Sequence, residues 1–136
     1  MAAPNIVNVA TITGITTYRA GVGTEGVSSG GKFQGFTTIV SNASASGKVL
    51  KINSLVATAI GATTGVTVQV FDGAGAHTAA AHTVSIATTM TVPIYSSLAV
   101  VDKSNSIYLQ ENEQITVHSQ SNAGQLDVVC SYEDIS

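Results

Sequence analysis

Apolar and hydroxyl- or amide-bearing residues alternate along most of this chain. In 66–72, Val66, Val68 and Val70 fall on one side and Thr67 and Gln69 on the other. A period of two places neighbours on opposite faces of an extended strand, so such a segment is built to be buried on one face. The pattern recurs in 6–13. It recurs in 48–60, where Leu50 and Ile52 oppose Lys51 and Asn53, and at Ile107 and Leu109 around an outward Tyr108. Near the end, Ile115 and Val117 oppose Thr116 and His118, and Leu126, Val128, Cys130 and Tyr132 share one face. No window sustains a 3.6-residue period, which excludes a βαβ architecture. Turn clusters (41–47, 61–65, 111–114, 121–124) punctuate the chain at roughly the 8–12-residue spacing of sandwiches and barrels. The expected fold is all-β: an antiparallel β-sandwich, jelly-roll-like or immunoglobulin-like, of about eight strands with an N-terminal arm. Periodicity does not choose between the two connectivities.

Finer expectations follow. Strands 48–60 and 66–72, joined by a short turn, read as an antiparallel hairpin. The run Leu98-Ala99-Val100-Val101 reads as a strand covered on both faces. Residues 73–81 form a small-residue loop, and Pro93 suits a strand start or edge. The glycine-rich stretch 21–31, GVGTEGVSSGG, reads as a flexible linker. It divides an arm and linker, 1–31, from a sandwich domain, 32–136. The apolar residues of the arm, Ile6, Val7, Val9, Ile12, Val22 and Val27, are the candidates for contact with neighbouring subunits.

Composition sharpens the functional reading. Only 10% of the 136 residues are charged and the net charge is -3, so few phosphates could be neutralised and a nucleic-acid partner is not expected. One cysteine excludes a disulfide framework, and a positive mean hydropathy disfavours a disordered acidic chain. The start carries no basic segment followed by an apolar run, and no stretch approaches the ~18 apolar residues that span a bilayer. Synthesis in a cytoplasm with no membrane partner is therefore expected. Solvation must come from hydroxyls and amides, which leaves sheet edges weakly defended by charge. A homo-oligomer that covers those edges is the physical expectation.

Catalytic candidates are thin. Glu111 and Glu113 are a close carboxylate pair, but they sit in a polar turn where solvated acids are ordinary. His77, His82 and His118 lack metal-ligand spacing, so no metal site is expected. Asp72 before Gly73 reads as a turn former. Cys130 alternates with Val128 and Tyr132 as a small buried hydrophobe. Gly26, Gly31 and Lys32 have phosphate-loop spacing, but Phe33 stands where the magnesium-binding hydroxyl belongs. Asn42-Ala43-Ser44 is a glycosylation sequon without an export signal. No catalytic residue and no cofactor is expected, and the chain reads as a non-enzyme.

Three segments carry a resemblance: MAAPNIVNVATITG at the start, NASASGKVLKINSLVAT in the centre and VVDKSNSIYLQENEQITVHSQSNAGQLDVVCSYEDIS at the end. Together they resemble a group of small virion structural proteins of tailed phages that infect marine cyanobacteria and related ocean bacteria. Residues 20–36 and 73–81 depart from the shorter, more regular segments of that group. The resemblance transfers no catalytic residues. It implies a capsid decoration or cement protein on the head surface of the virion, bound to the major capsid protein lattice. A trimer would suit the three-fold positions of such a shell. The alternative is a tail or fibre component recognising host glycans through Tyr18, Tyr95, Tyr108 or Tyr132, with Tyr108 the exposed one.

Overall fold

The computed structural model describes residues 9–23, 26–27, 33–34, 37–73, 82–120 and 125–136. Eleven strands follow in chain order: β1 (Ile12–Arg19), β2 (Gly26–Val27), β3 (Phe33–Gln34), β4 (Thr37–Ser41), β5 (Val49–Ala59), β6 (Thr64–Phe71), β7 (Thr83–Val92), β8 (Ser97–Val101), β9 (Ile107–Leu109), β10 (Gln114–Ser119) and β11 (Leu126–Ile135). The first sheet runs β1-β11-β5, with β8 and β9 sharing the far side of β5. The second runs β4-β10-β6-β7, and among the described residues β2 pairs only with β3. The named strand pairings are all antiparallel.

The two sheets pack face to face as an all-β sandwich. Counting β8 and β9 as one broken strand, the chain visits the sheets in the order first, second, first, second, second, first, second, first. That order, with β1 next to β11 and β4 next to β10, is the nested double Greek key of a jelly roll. Of the two connectivities open to the sequence, this is the one realised.

The core lies between the sheets. Leu126, Val128 and Cys130 of β11 and Leu55, Ala57 and Ala59 of β5 meet Val66, Val68, Ile115 and Val117 of the second sheet. Each buried Leu, Ile or Val contributes about 1.5–3 kcal/mol of transfer free energy. In β5 the inward set changes parity: Leu50 and Ile52 are followed by Leu55, Ala57 and Ala59. The cause is a bulge at Asn53, where the register with β11 passes from Ser54–Ser131 to Ile52–Tyr132. Without that extra residue one half of the strand would turn its apolar side outward.

Four sequence expectations are corrected. β5 and β6 do not form a hairpin; β6 pairs with β7 and β10 in the opposite sheet. Residues 60–63 cross between the sheets, and alternation, which reports faces, is blind to which strand lies alongside. β8 is not covered on both faces but is an edge strand whose exposure alternates. Pro93 does not open a strand but directly follows β7, which is an edge strand. Finally, the body does not begin at residue 32. Ile12–Arg19 is hydrogen-bonded to β11 over its whole length, and Val22 lies in the core with its amide donating to the Leu126 carbonyl at 2.8 Å. Most of the glycine-rich stretch falls outside the described residues.

Candidate functional site

The titratable candidates are dispersed. Glu113 Oε2 accepts the Gln110 amide at 2.7 Å, and Glu111 Oε1 accepts the Gly47 amide at 2.8 Å. Each carboxylate fastens a backbone turn, so the pair is structural. His82 Nδ1 lies 3.0 Å from Asp72 Oδ2, and the Asp72 amide donates to the His82 carbonyl, closing the mouth of the β6–β7 hairpin. His118 sits on β10, in the second sheet; His77 lies outside the described residues. Among the described residues no cluster of His, Cys, Asp and Glu is placed to hold a metal ion. Cys130 is fully buried, and burial pushes its thiol up to about 12, far from a nucleophile's range. Asn42 of the sequon is buried, its Nδ2 donating to the Lys48 and Leu109 carbonyls and its Oδ1 accepting from Ser46. A side chain so engaged ties the 41–49 connection to β9 and does not present its amide to an enzyme.

Two surfaces are built across sequence distance. The first is the outer face of the first sheet. Register aligns Tyr18, Val129, Val56 and Ala99 in one row across four strands. Tyr18 is 73% exposed and Val129 44%. A hydroxyl row lies on either side. Thr16 Oγ1 and Ser131 Oγ are 3.2 Å apart, with Ser54 beyond, and Thr58 Oγ1 and Ser97 Oγ are 2.8 Å apart. Charges appear only toward the ends of the strands, with Asp127 at one and Lys51 facing Glu133 at 4.0 Å at the other. The result is a broad face with an apolar stripe, rimmed by groups that hydrogen-bond without carrying charge.

The second is a cleft of about 200 Å³ where the 41–49 connection meets the start of β5 and the end of β11. Asn42, Ser46, Lys48, Tyr132 and Asp134 line it. Lys48 Nζ donates to Asp134 Oδ2 at 2.8 Å, while Asp134 Oδ1 is buried and, among the described residues, accepts no hydrogen bond. Burial raises the Tyr132 hydroxyl above its ordinary value, and the neighbouring Asp134 charge adds to the shift. The cleft can offer a hydrogen-bond acceptor, an ammonium and a phenol to a polar ligand. Among the described residues that line it there is no nucleophile–base pair. Sequence reasoning missed it because its members come together only through the β5–β11 register.

The predicted contact residues divide. Ile12 is 62% exposed on β1 and Val9 is half-buried beside it. Val22 is fully buried in the chain's own core, so its side chain is not available to a neighbour, a correction caused by the loop after β1 folding inward. Val27 belongs to β2, and Ile6 and Val7 lie outside the described residues. Tyr108 is only 45% exposed, less than Tyr18 or Tyr95, so it is not the most exposed aromatic. Tyr95, 81% exposed, projects beside Ile94 and Ile60 from a backbone with φ 62°. That conformation disfavours a bulky side chain, and its presence on an exposed tip was invisible to alternation.

No protein-family model matches the chain, and no curated protein matches it either.

Proposed function

We propose that the chain is a non-enzymatic structural protein of a phage virion, a decoration or cement protein that lies on the head lattice of the major capsid protein and associates with copies of itself. The observation that carries this reading is the outer face of the first sheet. Its Tyr18–Val129–Val56–Ala99 row and flanking hydroxyls suit a wide, shallow, uncharged contact. A jelly roll is a stiff body that presents such a face without rearrangement. Many copies on a repeated lattice would gain avidity from individually modest contacts. The segments resembling small virion structural proteins point the same way. Antibody labelling of purified particles tests it: label over the head shell is the expected result, and label confined to the tail overturns the head assignment.

A second reading draws on the cleft. Asp134 Oδ1, buried beside Lys48 and Tyr132 without a donor among the described residues, is suited to a hydroxyl-rich ligand. A tail or fibre component recognising host glycans would use such a site. A saturable glycan-array signal lost in Asp134→Asn would favour it over decoration.

A further inference from the structure

A sandwich of two open sheets has four free edges, and three of them here are blunted. The β8–β9 edge is broken by a short 3-10 turn, Lys103–Asn105. Asp102 caps that turn by accepting the Ser104 amide at 2.8 Å, while Asn105 Oδ1 accepts the Asp102 amide at 2.7 Å. β4 has five residues and a register shift against β10. β7 shifts register twice against β6 and carries Thr89 at φ 47°. Bulges, short strands and charged interruptions are the devices that keep edges from pairing.

β1 has none of them. Its register with β11 runs without a shift from Ile12–Ile135 to Arg19–Val128, and Arg19 at its end is its one charged residue. Among the described residues nothing pairs with its other side. Thr11 and Ser136 exchange both backbone hydrogen bonds at 3.0 and 3.1 Å. Alternation along the ladder therefore turns the odd-numbered amides toward β11. It leaves the N–H and C=O groups of Ile12, Gly14, Thr16 and Tyr18 facing the open edge.

The same four residues project their side chains to the outer face. A two-fold antiparallel pairing must set like faces opposite each other. With the axis at Ile15, Ile12 lies opposite Tyr18 of the other copy, twice over, and Gly14 lies opposite Thr16. The two most exposed apolar side chains of the strand then cover each other as aromatic–β-branched pairs, which stabilise antiparallel ladders. Half-buried Ile15 meets its own copy on the inner face, and the two Arg19 side chains stand at opposite ends.

We propose that the open edge of β1 pairs antiparallel with the same edge of a second copy, setting Ile12 opposite Tyr18 across a two-fold axis at Ile15. The inference rests on the reading of the chain as self-associating and names the surface that does it. Two sheets become one, and the outer faces join into a single larger contact surface. Such a pairing closes at two copies, so a three-fold arrangement would need another surface.

The test is sedimentation of the full chain from low to high micromolar concentration, with two designed variants. A Cβ at Gly14 meets nothing within 4 Å, so Gly14→Lys leaves the fold intact while placing two like charges across the axis. The expected result is a wild-type dimer whose dissociation constant rises at least tenfold in Gly14→Lys, with circular dichroism unchanged. Ile15→Cys should oxidise to a covalent dimer, because facing residues that do not exchange hydrogen bonds lie about 4.5 Å apart at Cα. Thr17→Cys should not, since its copy lies roughly 13 Å along the strand. Native Cys130 is buried and stays silent. A wild-type monomer throughout overturns the proposal and removes self-association with it. An oligomer in which Ile15→Cys fails to cross-link and Gly14→Lys changes nothing overturns the β1 pairing alone. Neither outcome bears on where antibody labels the particle.

Discussion

The two outer faces of the sandwich are written in the same alphabet and end in opposite environments. On the first sheet, Thr16, Ser131, Ser54 and Thr58 stand in solvent or half in it, with Tyr18 and Val129 between them. On the second, Thr67, Gln69, Thr116 and His118 lie at 0% exposure although they point away from the core. The second face is also hydrogen-bonded within itself. Thr67 Oγ1 accepts the Thr89 amide at 3.0 Å, Gln69 Nε2 donates to Ser85 at 3.2 Å, and Thr38 donates to Gln114 at 2.8 Å. A threonine facing outward is therefore a surface residue on one sheet and part of an internal polar layer on the other. The open face keeps Tyr18 and Val129 exposed to solvent. The covered face leaves the second sheet's central strands, β6 and β10, buried on both sides.

Thiol reactivity offers the widest measurable contrast. Val129 and Cys130 are neighbours on β11, one exposed on the open face and one sealed in the core. A disulfide reagent at pH 8 should label Val129→Cys at the rate of a free thiol. Cys130 should react at least about 10³-fold more slowly, because it must wait for opening. Comparable rates would mean that β11 is not held between β1 and β5. The same burial predicts a pH dependence. The thiol's folded value of about 12 lies above its ordinary 9.0, so the neutral form is favoured in the fold. Stability is then unaffected below pH 9 and declines between about pH 9 and 12, a loss that Cys130→Ala should remove.

Stability comes next. His118→Ala empties a fully buried position and should cost about 2–4 kcal/mol in urea unfolding. Val129→Ala on the open face should cost under about 0.5 kcal/mol. Equal costs would erase the distinction between the two faces.

What the sequence disclosed, and what it withheld, follows from the same contrast. Alternation identified the inward sets Val66–Val68–Val70, Ile115–Val117 and Leu126–Val128–Cys130, because burial on one face is a local property of a strand. It identified Glu111 and Glu113 as turn residues for the same reason. It did not predict that β5 and β6 part to opposite sheets, since pairing depends on chain segments far away. Nor did it predict that Thr67 and His118 are covered, since whether an outward face meets solvent depends on what packs above it. The arm was misjudged because glycine in 21–31 marks flexibility in isolation, whereas β1 before it is fixed by β11, more than 100 residues later. The cleft of Lys48, Tyr132 and Asp134 was likewise a product of register rather than of any motif.

A substitution within the covered face carries a smaller effect than His118→Ala and an unusual sign. Gln69 is fully buried and, among the described residues, its Oε1 has no hydrogen-bond partner, while its Nε2 donates to Ser85, an exposed hydroxyl that water can serve equally well. An unmet buried acceptor carries a desolvation cost that a thioether of similar length does not. Gln69→Met should therefore raise stability by up to about 1 kcal/mol, read as a higher urea midpoint at unchanged slope. The matched change on the open face, Ser131→Ala, removes a 3.2 Å contact with Thr16 that solvent replaces, and should move stability by under about 0.5 kcal/mol. A loss of 2 kcal/mol or more in Gln69→Met would mean that the amide oxygen is engaged after all. The polar layer over the second sheet would then stabilise the fold through each of its members, not merely tolerate this one.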